Sequence, residues 1–160
     1  MRRNTLVLLL HLTVFVMAVI FAAVDISIAQ NSSDDQGRLW ESNSLNDIHA
    51  VRGIIYAWIQ AWESKNLNNY MSYYSPQFRS EKLDYNAWRA KKLNSFKKPG
   101  TISVKISNLL ISIEGQESKA GFVQEYNDAN RAEAGEKHIK LIRLNNTWKI
   151  VSEEWKPIKK

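Results

Sequence analysis

The chain has 160 residues, a formal net charge of +6, 44% hydrophobic residues and no cysteine. The missing cysteine excludes a disulfide framework, a thiolate nucleophile, a Cys-ligated metal and a lipidated N-terminal Cys, so a folded part must hold together through its core alone. Beyond an apolar leader about 130 residues remain, enough for one domain that buries roughly two-thirds of its unfolded surface.

Arg2 and Arg3 precede an apolar run from Leu6 to Val24 that is broken only by His11 and Thr13, a pattern that sends a chain to a membrane. Ser27-Ile28-Ala29 sets small residues where a signal peptidase reads, and cleavage before Gln30 is the favoured expectation. The alternative is an uncleaved anchor, because the run is about as long as the roughly 20 residues that span a bilayer. Either outcome leaves the remainder outside the cytoplasm, since positive charge precedes the span. The charge falls to +5 once residues 1–29, with Arg2, Arg3 and Asp25, are set aside. A modestly basic surface suits anionic neighbours such as glycan strands, lipid headgroups or acidic partners, and equally suits plain solubility. Nucleic acid is not expected as a partner, because no recognised motif accompanies the basic cluster of Arg79, Lys82, Arg89, Lys91 and Lys92.

Residues 30–46 are rich in Asn, Ser, Asp and Gln and read as a flexible linker. Ser44 with Asp47 resembles a capping arrangement, and Ile48, Val51, Ile55, Trp58 and Trp62 follow at the spacing of one helical face. A short second helix should hold Tyr70, Tyr73 and Tyr74 and end at Ser75-Pro76, because the residue before proline avoids helical backbone. A third begins near Asp84, carries Trp88, Leu93 and Phe96, and stops at Lys98-Pro99-Gly100. The period then changes to two. Ile102, Val104 and Ile106 alternate with polar residues, but the apolar set moves to Leu109, Ile111 and Ile113, and such a change of phase predicts a bulge near Asn108 that bends the strand. Ala120 to Asn127, Lys137 to Leu144 and Trp148 to Trp155 make three further strands, the last two joined through a tight turn at Asn145-Asn146. The expected architecture is α+β, with three N-terminal helices on the concave face of a strongly curved four-stranded antiparallel sheet and a cone-shaped cavity between them. Its expected domain limits are residues 47–156, followed by a basic tail over 157–160.

The block WIQAWESKNLNNYMSYYSPQF from Trp58 to Phe78, Trp88 with Lys92, Phe122-x-Gln124-x-Tyr126, Lys137 to Leu144 and WKIVSEEW together resemble the nuclear transport factor two-like (SnoaL-like) superfamily. More narrowly, they are similar to the carboxy-terminal module of bacterial L,D-transpeptidase-fold enzymes that trim peptidoglycan. The resemblance covers about residues 47–156 and implies the fold, a bacterial periplasmic address, either secreted or anchored in the inner membrane, and a role in holding cell-wall material. The catalytic transpeptidase-fold domain with its Cys and His has no counterpart here, so peptidase activity does not transfer. Homodimers through the sheet are common in the superfamily, which makes a homodimer a second expected partner.

Strand alternation puts Phe122, Gln124 and Tyr126 on one face, and Trp148, Ile150 and Glu154 on one face of the last strand. Glu154 is then expected in the cavity, either as a ligand-orienting or acid/base group or as a carboxylate satisfied by Gln124, a Tyr hydroxyl or Arg143. Trp58, Trp62 and Tyr74 offer rings and a hydroxyl suited to a sugar or peptide, and equally suited to core packing. The expected ligand-binding set is Trp58, Trp62, Tyr74, Gln124, Tyr126 and Glu154, while Val151 and Trp155 are expected on the outer face at an interface. No catalytic set is matched. His49 and His138 lack metal-ligand companions, and no Gly-rich phosphate loop or nucleophile elbow occurs, so no metal and no cofactor are expected. The leading expectation is a non-catalytic envelope-binding module for a peptidoglycan fragment or other small ligand. Its alternatives are a bitopic assembly protein resembling a type IV secretion core component, and a small isomerase, dehydratase or cyclase with Glu154 as base.

Overall fold

The computed structural model describes residues 36, 38, 39 and 41–158, in two compact units, Met1–Asn43 and Ser44–Lys160. The leader over residues 1–29 and the last two lysines lie outside the described residues. Among the described residues no helix is long and apolar enough to cross a membrane. In the first unit, residues 36, 38, 39 and 41–43 are helical and exposed.

The second unit opens on α1, residues 44–63. Residues 41–46 were expected in the linker but are helical. The reason is local: no Pro or Gly occurs between residues 41 and 52, and each added helical residue gains a hydrogen bond once a helix is nucleated. Ser44 and Asp47 therefore lie inside a helical stretch rather than at its cap, and Asp47 instead forms an ion pair with Arg143. The apolar face of α1 buries Val51, Ile55, Trp58, Ile59 and Trp62.

Lys65 ends this helix with a left-handed φ of 53°, and its ammonium donates to the Lys98 carbonyl at 2.7 Å and to the Gly100 carbonyl at 2.5 Å. Asn66 then caps α2 (Leu67–Ser72), accepting from the Asn69 N–H at 3.0 Å. Tyr74, expected inside this helix, lies beyond it in a parallel bridge to Ile150, where Ser75 N–H donates to the Ile150 carbonyl and Ile150 N–H to the Tyr73 carbonyl, both at 2.8 Å. A two-residue hairpin that the sequence does not announce, β1 (Arg79–Ser80) with β2 (Leu83–Asp84), leads into α3 (Tyr85–Phe96), capped by Asp84 as its position predicts.

The strands β3 (Ser103–Glu114), β4 (Glu117–Asn127), β5 (Ala132–Leu144) and β6 (Thr147–Pro157) form an antiparallel meander in sequence order. The bulge expected near Asn108 is present: the register shifts between Ser107 and Leu110, and Asn108 has a φ of 56°. Asn145 and Asn146 have φ values of 49° and 59°, the two positive angles that a tight hairpin turn needs.

A second bulge was not foreseen. Leu141 pairs with Ile150 and Lys140 pairs with Ser152, so Val151 is an extra residue in β6. Because side chains alternate with period two, one inserted residue reverses the phase of everything after it. Glu153 and Trp155 therefore share the inner face with Ile150, whereas Glu154 faces outward. Both expectations for this end of the chain are thereby corrected, the inward Glu154 and the outward Trp155.

Candidate functional site: a buried charge network beneath a mixed-charge cavity

Beyond the second bulge the inner face of the sheet carries charge. Glu153 is only 2% exposed, and Lys137, on β5 in phase with Ile139 and Leu141, is also buried. The Lys137 ammonium stands 2.5 Å from Glu153 Oε2, and Tyr74 hydrogen-bonds the other carboxylate oxygen. Tyr74 also accepts from the Trp58 indole N–H at 2.8 Å and meets the Tyr70 hydroxyl at 2.5 Å. A phenol has one proton and a carboxylate only accepts, so Tyr74 donates to Glu153 and Tyr70 donates to Tyr74. The chain of protons runs from the core of the helical layer to the sheet.

Lys92 of α3 completes the cluster. Its Nζ lies 3.9 Å from the Trp62 ring centroid, 4.8 Å from Trp88 and 5.1 Å from Tyr70, a cage that attracts a cation through the ring quadrupoles. Burial pulls the Lys92 ammonium down to about 7, against the attraction of Glu153 and with the repulsion of Lys137. Burial also works to raise Glu153, but the ammoniums of Lys137 and Lys92 and the hydrogen bonds from Lys137 and Tyr74 hold it below the ordinary carboxylate range. Tyr70 and Tyr74 are both pushed well above the usual phenol value, first by burial and then by the Glu153 charge. At neutral pH Glu153 is thus an anion with both oxygens engaged.

Of these groups Lys92, Lys137 and Glu153, with Trp62 and Trp88, line a cavity of about 230 Å³. Trp62, Trp88, Lys92, Gln124, Lys137 and Glu153 supply its buried side. The exposed rim holds Glu81, Lys91, Arg131 and Glu133, with Tyr126 and the half-buried Trp155 between rim and floor. Both signs of charge therefore line one small space. Arg131 is set by a pinned loop: Asp128 accepts from the backbone N–H groups of Asn130 and Arg131 at 2.8 and 3.0 Å and from the Tyr126 hydroxyl at 2.7 Å, and the Arg131 guanidinium lies 4.8 Å from the Tyr126 ring centroid. Trp155 pairs with Lys137 and lays its ring across the diagonal neighbour Gly135. A Cβ there would lie 2.7 Å from the Trp155 ring and 2.5 Å from the Lys156 carbonyl.

Besides Glu153 Oε2, which faces the Lys137 ammonium, three buried polar atoms of lining side chains, Trp62 Nε1, Trp88 Nε1 and Gln124 Oε1, have no hydrogen-bond partner among the described residues. Each such atom costs roughly 1–3 kcal/mol while unpaired, so this wall favours a polar guest that a small side-chain adjustment can reach.

Of the residues expected to bind a ligand, Trp62, Gln124 and Tyr126 line the cavity together. Trp58 is fully buried core, and Tyr74 lies in the network beside Glu153 rather than among the cavity-lining residues. Glu154 lines a separate recess on the outer face, and Val151 is the half-buried bulge residue. Lys92, Lys137 and Glu153 went unrecognised. The spacing held the signal for two of them: Lys92 lies one helical turn from both Trp88 and Phe96, and Lys137 alternates in phase with Ile139 and Leu141.

A helical layer on a bulged antiparallel meander with an open cavity defines the NTF2-like class, a fold that fits a ligand-binding cavity module. The profile of the Cds6 C-terminal NTF2-like domain matches residues 50–154, and the chain belongs to that family. No curated protein matches it. Among solved structures, Bd1075 of Bdellovibrio bacteriovorus is similar at 27% identity and a TM-score of 0.66, over 68% of this chain and 40% of that one. The helical cell-shape-determining protein Pgp2 of Campylobacter jejuni is similar at 21% identity and a TM-score of 0.61, over 67% and 40%. An NTF2-like protein of unknown function from Pseudomonas putida shares the fold at 15% identity and a TM-score of 0.60, over 66% and 82%. The chain thus spans less than half the length of Bd1075 and Pgp2.

Proposed function

We propose that this chain is a non-catalytic binding module of the bacterial cell envelope, whose cavity holds the end of a peptidoglycan fragment. The observation that carries this reading is Lys92. It is a buried amine on the cavity wall whose protonated form is held by rings and has no ion-pair partner among the described residues, next to a Lys137–Glu153 pair that is already closed. Such a cation is completed by an anionic group of a guest, while Glu81 and Glu133 at the rim suit an ammonium. A cavity of about 230 Å³ takes the terminus of a peptide stem rather than a whole strand. The apolar leader supports an envelope address, and the shared fold with a helical cell-shape-determining protein is what suggests cell-wall material as the guest. The narrower kinship with modules attached to peptidoglycan-trimming enzymes belongs to the same proposal.

The enzyme reading loses its base. Glu153, which takes the inward place expected of Glu154, is held below the ordinary carboxylate range by the Lys137 and Lys92 ammoniums, whereas a general base works best with a pKa near its operating pH. The assembly reading loses its outward Trp155, which lines the cavity.

Co-sedimentation of the chain with purified sacculi at low and high salt tests the proposal. Retention that survives high salt and is lost in Lys92→Met and Gln124→Ala, with unchanged circular dichroism, is the expected result. Equal retention of wild type and both variants, or retention only at low salt, would overturn pocket recognition.

A further inference from the structure

The outer face of the sheet carries a second recess, of about 360 Å³, that shares no residue with the cavity. Lys119 of β4 stands directly opposite Lys140 of β5, and Lys140 stands opposite Ser152 of β6. In the adjacent row on the same face Gly121 faces His138, which faces Glu154. Like charges directly opposite on neighbouring strands destabilise a sheet. Relief is partial: Lys119 reaches Glu114 at 3.6 Å, while Lys140 and Lys156 have no ion-pair partner among the described residues. The recess thus collects Lys119, Lys140 and Lys156 against Glu154, with Glu136 beside it, opposite Lys156 and 3.9 Å from His138 Nε2. Gly121 has no side chain to fill the floor beside His138, where a Cβ would make an ordinary contact at 3.4 Å from Nδ1.

We propose that this recess binds a phosphate group carried on a small organic ester, gripped between Lys119 and Lys140 with Ser152 and His138 at its edge. A tetrahedral phosphate presents several charged oxygens and so satisfies two ammoniums at once, which a single carboxylate does less well. The space exceeds what a bare phosphate fills, leaving room beside Gly121 for the group that bears it. The unfavourable lysine pair is the stability cost of the site.

The test titrates glycerol phosphate against the whole chain in chloride buffer by calorimetry, with a parallel arm that sediments the chain with phosphatidylglycerol vesicles. Lys119→Gln with Lys140→Gln is expected to weaken binding at least roughly tenfold. Lys82→Gln with Lys97→Gln, which removes the same net charge elsewhere, is expected to leave it unchanged. Binding of the soluble ester assigns a soluble guest. Binding of vesicles alone, with the same dependence on Lys119 and Lys140, assigns a lipid headgroup. Equal weakening by the two double variants shows only bulk charge and overturns the site, as does failure of both arms. Independently, Lys140→Gln should raise the melting temperature in phosphate-free buffer by relieving the repulsion, and a lowered or unchanged value would remove the argument from the lysine pair.

Discussion

The β5–β6 hairpin is one ladder with two interiors. On the turn side of Val151, Leu141, Ile150 and Trp148 bury apolar surface against the core of the unit. On the other side Lys137, Glu153 and Trp155 turn the same face into a charged wall, and Lys137 and Glu153 are almost as well covered as Leu141 and Ile150. Equal burial does not mean equal contribution. Apolar burial stabilises by roughly 25 cal/mol per Å², whereas a buried ion pair roughly offsets its own desolvation and is often replaceable by apolar groups at no loss. The second half of the hairpin therefore supplies the polar wall of the cavity, and the first half the apolar core beside it.

Breaking the charged half at one point should have the largest effect. Lys137→Met leaves Glu153 buried without its counter-ion and is expected to cost about 3–5 kcal/mol in urea unfolding. The double change Lys137→Met with Glu153→Leu should recover most of that loss, to within about 1 kcal/mol of wild type. A double variant as unstable as the single one would show that the pair itself stabilises the fold. In the apolar half, Leu141→Ala should cost about 2–4 kcal/mol by leaving a cavity and, unlike Lys137→Met, should do so by the same amount at every pH.

The two halves also separate in their response to pH. The folded state releases the Lys92 proton near 7, while the unfolded chain keeps it to about 10.5. The unfolded state therefore binds more protons between those values, and the stability of the wild type should rise with pH across that window relative to Lys92→Met. Glu153 acts in the opposite range: its pKa is depressed by folding, so its contribution is present above the ordinary carboxylate value and is lost as pH falls through the lowered one. Urea midpoints of wild type and Lys92→Met from pH 6 to 9 check the first statement, and parallel midpoint curves would contradict it. The smallest effect belongs to Glu154→Gln. It is exposed on the outer face and should change stability by no more than about 0.5 kcal/mol, with sacculus retention untouched.

Most of the fold was legible because its signals are local. Asp84 announces α3 as a cap, Asn145-Asn146 announces its turn, and the break of phase after Ile106 announces the Asn108 bulge. The site was less legible for a reason visible in Ile150-Val151 and Glu153-Glu154. Each phase of β6 offers two large apolar residues and one glutamate, Trp148, Ile150 and Glu154 against Val151, Trp155 and Glu153, so alternation alone cannot choose between them, and the choice falls to pairing with β5. Lys92 and Lys137 were hidden differently. Their spacing points inward, but charge argues outward, and only the presence of Trp62, Trp88, Tyr70 and Glu153 around them reconciles the two.

The extra residue at Val151 has a consequence for kinship across the family. Two related chains can carry a carboxylate at the same depth of the cavity while their β6 segments differ in length by one residue. A gapless comparison through WKIVSEEW would then set Ser152, on the outer face, against the buried carboxylate of a relative that lacks the bulge. Descent of the cavity in this family is traced by strand pairing, with a one-residue gap opened at Val151, rather than by the column in which a glutamate happens to stand.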